Sequence, residues 1–136
     1  MNIIDSTFYH LVLKEINYSL GDLYMLQDVA VLQVNKGQHI TKDSIEDILM
    51  ELYMFYELKQ QNFALISNNI NVYTIDYSDC YKYTNLFSNL HFYGIVDYSN
   101  LNETKQFQQN NFGNTKSKTF KSLNEAFNYI RPKVLI

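Results

Sequence analysis

"FALISNNINVYTIDYSD", Phe63 to Asp79, decides the fold. Its first four residues, Phe63 to Ile66, are apolar at every position. A strand with one wet face alternates apolar and polar side chains, whereas an unbroken apolar run suits a central strand covered on both faces. The run gives way to Ser67-Asn68. A second hydrophobic stretch, Val72 to Ile75, then stops at Asp76 and offers Tyr77, Ser78 and Asp79. That junction is either a regulatory phosphorylation switch or the place where a buried segment ends and a helix is capped.

Upstream, the period of the apolar residues changes twice. "FYHLVLKEINY", "DLYML" and "VAVLQV" read as strands. The break at Gln27-Asp28 predicts a hairpin between the second and third. "NKGQ" is a turn signal, and from Thr41 the spacing becomes helical: Ile45, Ile48, Leu49, Leu52 and Tyr56 form one apolar stripe. Thr41 is a cap for this helix, with Asp43, Glu46 and Asp47 favourable at its positive end. The helix is expected to run to about Gln60.

Downstream, residues 80–87 predict a second helix, "HFYGIVDY" a buried strand, residues 101–112 a third helix and "SKTF" a short strand. Ser122 and Glu125 make a capping box for a last helix whose inner face is Leu123, Ala126, Phe127 and Ile130, ended by Pro132. Three strands followed by alternating helices and strands give one α/β domain over residues 1–136, a mixed sheet covered by crossover helices.

The order of elements, with "VAVLQVNKGQHITKDSIEDIL", "FALISNNINVYTIDYSD" and "SKTFKSLNEAFNYI", resembles the STAS superfamily in its SpoIIAA-like branch, over about Leu20 to Arg131. The resemblance implies a central mixed sheet with helices mainly on one face, an N-terminal β-hairpin and a bacterial, non-enzymatic regulatory or protein-interaction module. In the anti-sigma antagonists of that family, an acid followed by a Ser opens a helix just after a central strand, and the Ser is the phosphoacceptor. Asp76 stands here at the place of the acid, but Tyr77 follows and Ser78 comes one residue late. The strand also ends on Ser67-Asn68, where the family has an acid. A helix start of this kind favours anions through its free N–H groups and dipole. Asp76, Tyr77, Ser78 and Asp79 are therefore the candidate regulatory helix start, with simple capping as its ordinary role.

The long helix carries a second apolar stripe, Met50, Met54 and Leu58, opposite the first. Either another part of the chain, such as Ile3, Ile4 and Phe8 or the closing "VLI", lies over it, or it is an interface, most simply of a homodimer. An alternative of another class is a small apolar ligand, such as a lipid, in a pocket of the CRAL-TRIO kind, for which 12 Tyr and 9 Phe could supply the lining.

Composition narrows the remaining classes. One cysteine, Cys80, excludes an internal disulfide framework. No apolar run approaches the roughly 20 residues of a membrane span, so a cytoplasmic protein is expected. His10, His39 and His91 are scattered without metal-ligand spacing, and no phosphate loop, paired-carboxylate arrangement or nucleophile elbow occurs. Neither cofactor nor catalytic residue is expected. Residues 1–99 carry five Lys against twelve Asp/Glu, and residues 100–136 carry five Lys and Arg131 against two Glu. Lys105, Lys116, Lys118 and Lys121 interleave with Phe107, Phe112 and Phe120, yet the net charge of −3 argues against a nucleic-acid partner. A protein partner of unidentified nature is the leading expectation.

Overall fold

A computed structural model describes residues 1–76, 86–98 and 115–134. Its centre is a six-stranded sheet: β1 (Lys14–Asn17), β2 (Gly21–Met25), β3 (Val29–Val34), β5 (Phe63–Asn69), β7 (Leu90–Asp97) and β8 (Lys116–Phe120), side by side in that order. β1, β2 and β3 are antiparallel neighbours, and β3, β5, β7 and β8 run parallel. A small second sheet pairs β4 (His39–Ile40) with β6 (Thr74–Ile75) in parallel. α1 (Lys42–Leu52) and α2 (Leu123–Val134) complete the described architecture.

β5 is the central strand that its unbroken apolar run predicts. It pairs with parallel strands on both sides, and its first six residues are buried. The hairpin at Gln27-Asp28 also forms, closed by the Leu26 N–H donating to the Val29 carbonyl at 2.8 Å. β1 is shorter than its alternation suggests. Tyr9–Leu11 wind into a turn of 3-10 helix and leave only Lys14–Asn17 extended. In the turn before β4, Gly37 takes φ +78°, a left-handed conformation that a Cβ would strain.

The two described helices lie on opposite faces, which differs from the expectation of helices mainly on one face. Strand alternation shows the division. Ala30, Leu32, Leu65, Tyr93 and Ile95 point into a core with Ile45, Ile48, Leu49, Leu52 and Tyr56 of the α1 side. Val29, Val31, Ala64, Ile66, Phe92 and Val96 point into a second core with Leu123, Ala126, Phe127 and Ile130 of α2. Gly94 permits the close approach of α2, because a Cβ there would lie 2.6 Å from Ile130 Cδ1. The second core also takes the N-terminal segment, with Ile3 fully buried and Phe8 stacked on Phe127 at 4.0 Å between ring centres.

Both predicted caps form. The Thr41 hydroxyl accepts from the Ser44 N–H, while the Thr41 N–H donates to the Ser44 hydroxyl at 2.8 Å. The Ser122 hydroxyl accepts from the Glu125 N–H at 3.1 Å. Pro132 does not end α2; it sits in the last turn of a helix that continues to Val134. So close to the end, the missing N–H and the displaced carbonyl cost less than they would mid-helix. The first helix reaches its expected length by another route. After Leu52 the backbone widens to a π-turn over Tyr53–Glu57, with Leu58 N–H bonded to Tyr53 and Gln61 N–H to Tyr56. Gln60, at φ 53°, then ends it.

Candidate functional site

Asp76 closes β6 and lies against the start of α1. Its N–H donates to the Ile40 carbonyl at 2.8 Å, immediately before the Thr41 cap. β4 and β6 hold it there: the Thr74 N–H donates to Gln38, and His39 Nδ1 shares a 2.6 Å hydrogen bond with the Thr74 hydroxyl. The stretch from Val72 to Ile75 is not the buried segment that its apolarity suggests. Val72 is 78% exposed, and only Thr74 and Ile75 pair, in the two-stranded sheet. The central sheet has already placed β5 between β3 and β7, so β6 finds its partner in β4 at the sheet's carboxyl end. Tyr77, Ser78, Asp79 and Cys80 lie outside the described residues.

Two tyrosine hydroxyls brace this end of the sheet. Tyr93 donates to Ser67 at 3.0 Å and Tyr73 donates to Asn69 at 2.8 Å. The Ser67–Asn69 end of β5 thus serves neutral hydrogen bonding.

Met50, Met54 and Leu58 are exposed by 47%, 49% and 65%. They form the outward stripe of the same helical run that begins beside Asp76. In an α-helix each i+4 step advances the side chain by about 40° beyond a full turn. Between Met54 and Leu58 the run passes through the wider π-turn of Tyr53–Glu57. Sequence spacing places these three residues; the π-turn has no sequence signal. Ile3 and Phe8, expected as one possible cover, lie on the other face of the sheet, while Ile4 is 46% exposed. The tip of the closing "VLI" lies outside the described residues.

The opposite, inward side of the helical run is fixed by Tyr56. It is fully buried and stacked on Phe63 at 4.2 Å, and its hydroxyl lies 2.7 Å from the Leu26 carbonyl and 3.1 Å from that of Val29. Burial, with the nearby Asp28 charge, pushes its pKa far above that of an ordinary tyrosine. Glu57 then binds the loop before β7, accepting from the Asn89 N–H at 2.6 Å and the Ser88 hydroxyl at 2.9 Å. The π-turn is therefore pinned from within while its outer stripe stays in solvent.

The remaining candidates do not converge. His10, His39 and His91 are exposed on separate elements, and no group of three metal-ligating side chains occurs among the described residues. The basic end of the chain is partly engaged internally. Lys118 Nζ sits 4.1 Å over the Tyr129 ring, and Arg131 pairs with buried Asp28 at 3.5 Å. Phe120 is buried in the core beneath α2. A surface depression of about 320 Å³ is lined by Tyr9, Val12, Leu13, Lys14 and Glu15. No helix among the described residues is long and apolar enough to cross a membrane.

Fold and site together define an α/β domain with a mixed six-stranded sheet and an apolar ridge along its first helix. Comparison with protein-family models, curated proteins and solved structures finds no match to this chain.

Proposed function

We propose that the chain is a non-enzymatic protein-interaction module of STAS-like type, and that the outer side of its first helix is the contact surface. The observation that carries the reading is the exposed ridge of Met50, Met54 and Leu58. Three large apolar side chains exposed on one helical run are costly to leave in water, and methionine adapts to a partner's shape. The N-terminal segment that could have covered them is committed to the far face. The simplest partner is a second copy, because a self-complementary patch closes under two-fold symmetry without further design.

Asp76 lies at the start of the same helical run, its N–H donating to the Ile40 carbonyl just before the Thr41 cap. The segment Asp76–Asp79 is the candidate regulatory segment of this reading, where phosphate on Tyr77 or Ser78 would add close to two negative charges. Light scattering on the native chain and on Met54→Lys tests the interface. Pull-downs with Ser78→Asp and Tyr77→Glu test its regulation. Binding that ignores both of the latter substitutions reduces the junction to a helix cap.

A further inference from the structure

The outer side of the first helical run has two halves of different character. Asp43, Asp47 and Met50 follow one another along α1 at four- and three-residue steps, which puts them on one side of the helix. All three are exposed, as is Glu46 beside them, and Lys42 is the cation of that half. Beyond Met50 the outer residues Met54 and Leu58 are apolar, and exposed Lys59 follows them. The other acids of the run are engaged within the chain. Glu51 pairs with Lys14 at 2.7 Å, and Glu57 accepts from Ser88 and Asn89. Acid thus gathers at the start of the run and the ridge occupies its end. Lys59, with Nζ 4.6 Å over the Phe55 ring, stands at the far tip.

This order of charge decides how a second copy can seat on the ridge. Two chains that meet through the same patch are related by a two-fold axis, and their helices can then run parallel or antiparallel. A parallel pair sets Asp43 and Asp47 beside the same two acids of the second copy, a like-charge contact that opposes association. An antiparallel pair with Met54 on the axis brings Met50 against Leu58 of the second copy, and Leu58 against its Met50. All three ridge residues are then covered. Each acidic half lies alongside Lys59 of the other copy, where a flexible ammonium can pair with it at the rim. Apolar cover and opposite charge agree in that one orientation.

We propose that the chain associates as an antiparallel pair of first helices, with Met54 at the two-fold axis and Lys59 facing Glu46 and Asp47 of the second copy. The inference rests on the ridge being a self-contact, as read above, and adds the orientation and the charges that select it.

The test uses the full chain with Cys80→Ser, carrying either Met50→Cys or Leu58→Cys. A disulfide needs Cα atoms within about 7 Å. In the antiparallel pair each new thiol faces that of the other variant, and lies about 12 Å along the axis from the same position of the other copy. On mild oxidation, an equal mixture of the two variants is expected to form disulfide dimer at least tenfold faster than either alone. Cross-linking of each variant alone, with no gain on mixing, would mean a parallel pair and would overturn the proposal while self-association through the ridge stood. A mixture that light scattering shows to be dimeric but that forms no disulfide would overturn it too, because the ridges would not face each other. A chain that is monomeric at every concentration would end the proposal together with the reading beneath it. Charge gives an independent arm with the ridge intact. Lys59→Glu should weaken association about threefold or more in sedimentation. Adding Glu46→Lys and Asp47→Lys to Lys59→Glu should restore it. A dimer indifferent to Lys59→Glu would contradict the pairing at the rim.

Discussion

Asp28 shows how one side chain ties distant parts of the sequence together. It sits in the β2–β3 hairpin, 3% exposed, and its carbonyl receives the Ala64 N–H at the start of β5. One carboxylate oxygen faces Arg131 of α2 at 3.5 Å, and the other is buried without a hydrogen-bond partner. Removing the cation strands a buried charge, which typically costs about 3 kcal/mol. Arg131 is partly exposed, so Arg131→Leu should lower the unfolding free energy by roughly 2 kcal/mol in urea titration. Asp28→Asn added to it should recover much of the loss, a coupling readable in a double-mutant cycle. None of this was legible beforehand. The sequence marks Gln27-Asp28 as a turn and Arg131 as part of a basic tail, and nothing in local spacing brings the two within reach. The same holds for Gln33 and Asn68, polar residues in apolar strands whose purpose emerges only when the first three residues are laid over them.

The long helical run was the best-marked segment, because capping and periodicity agree there. Thr41 and the stripe from Ile45 to Tyr56 need no tertiary information to be read. The Thr41 cap is reciprocal with Ser44, and Thr41→Ala should cost about 1 kcal/mol. The loss should appear as an earlier thermal midpoint with an unchanged fold. The capping box was less legible than the cap, since Ser44 takes the place usually held by Glu or Gln. The π-turn was invisible for a different reason: it is chosen by Tyr56 reaching the hairpin carbonyls of Leu26 and Val29, a contact across thirty residues. The opposite error occurred at β6. Val72 to Ile75 looked like a buried segment because it is apolar, but the sheet already had a neighbour for each side of β5. Local apolarity reports that a segment seeks cover; sheet topology decides whether it finds any.

The domain as assembled has its aromatic core on both sides of one sheet, and that makes alkaline solution its weak flank. Burial pushes Tyr24 up to about 12, aided by the charges of Asp22 and Glu15, and raises Tyr56 further. An unfolded tyrosine ionises near pH 10. The folded state therefore holds these protons longer than the unfolded state does. Their stabilisation is complete below pH 10 and is lost as pH rises beyond it, at about 1.4 kcal/mol per pH unit for a group as buried as Tyr56. Tyr56→Phe should flatten that alkaline slope in denaturant titrations at pH 9 to 11, although it also leaves two carbonyls short of a donor. The layered α/β arrangement itself could be read from the order of periods. The distribution of helices between the faces could not, because a helix stripe says that one side is covered and not which side of the sheet covers it. Above all, the exposed Met50, Met54 and Leu58 ridge is the property on which the interaction reading stands. Multi-angle light scattering over a concentration series reads it without assuming a partner. Twice the 16.1 kDa chain mass is expected at high concentration, collapsing to a single chain mass with Met54→Lys. A native chain that stays at 16.1 kDa throughout, or a dimer that Met54→Lys leaves intact, would contradict it.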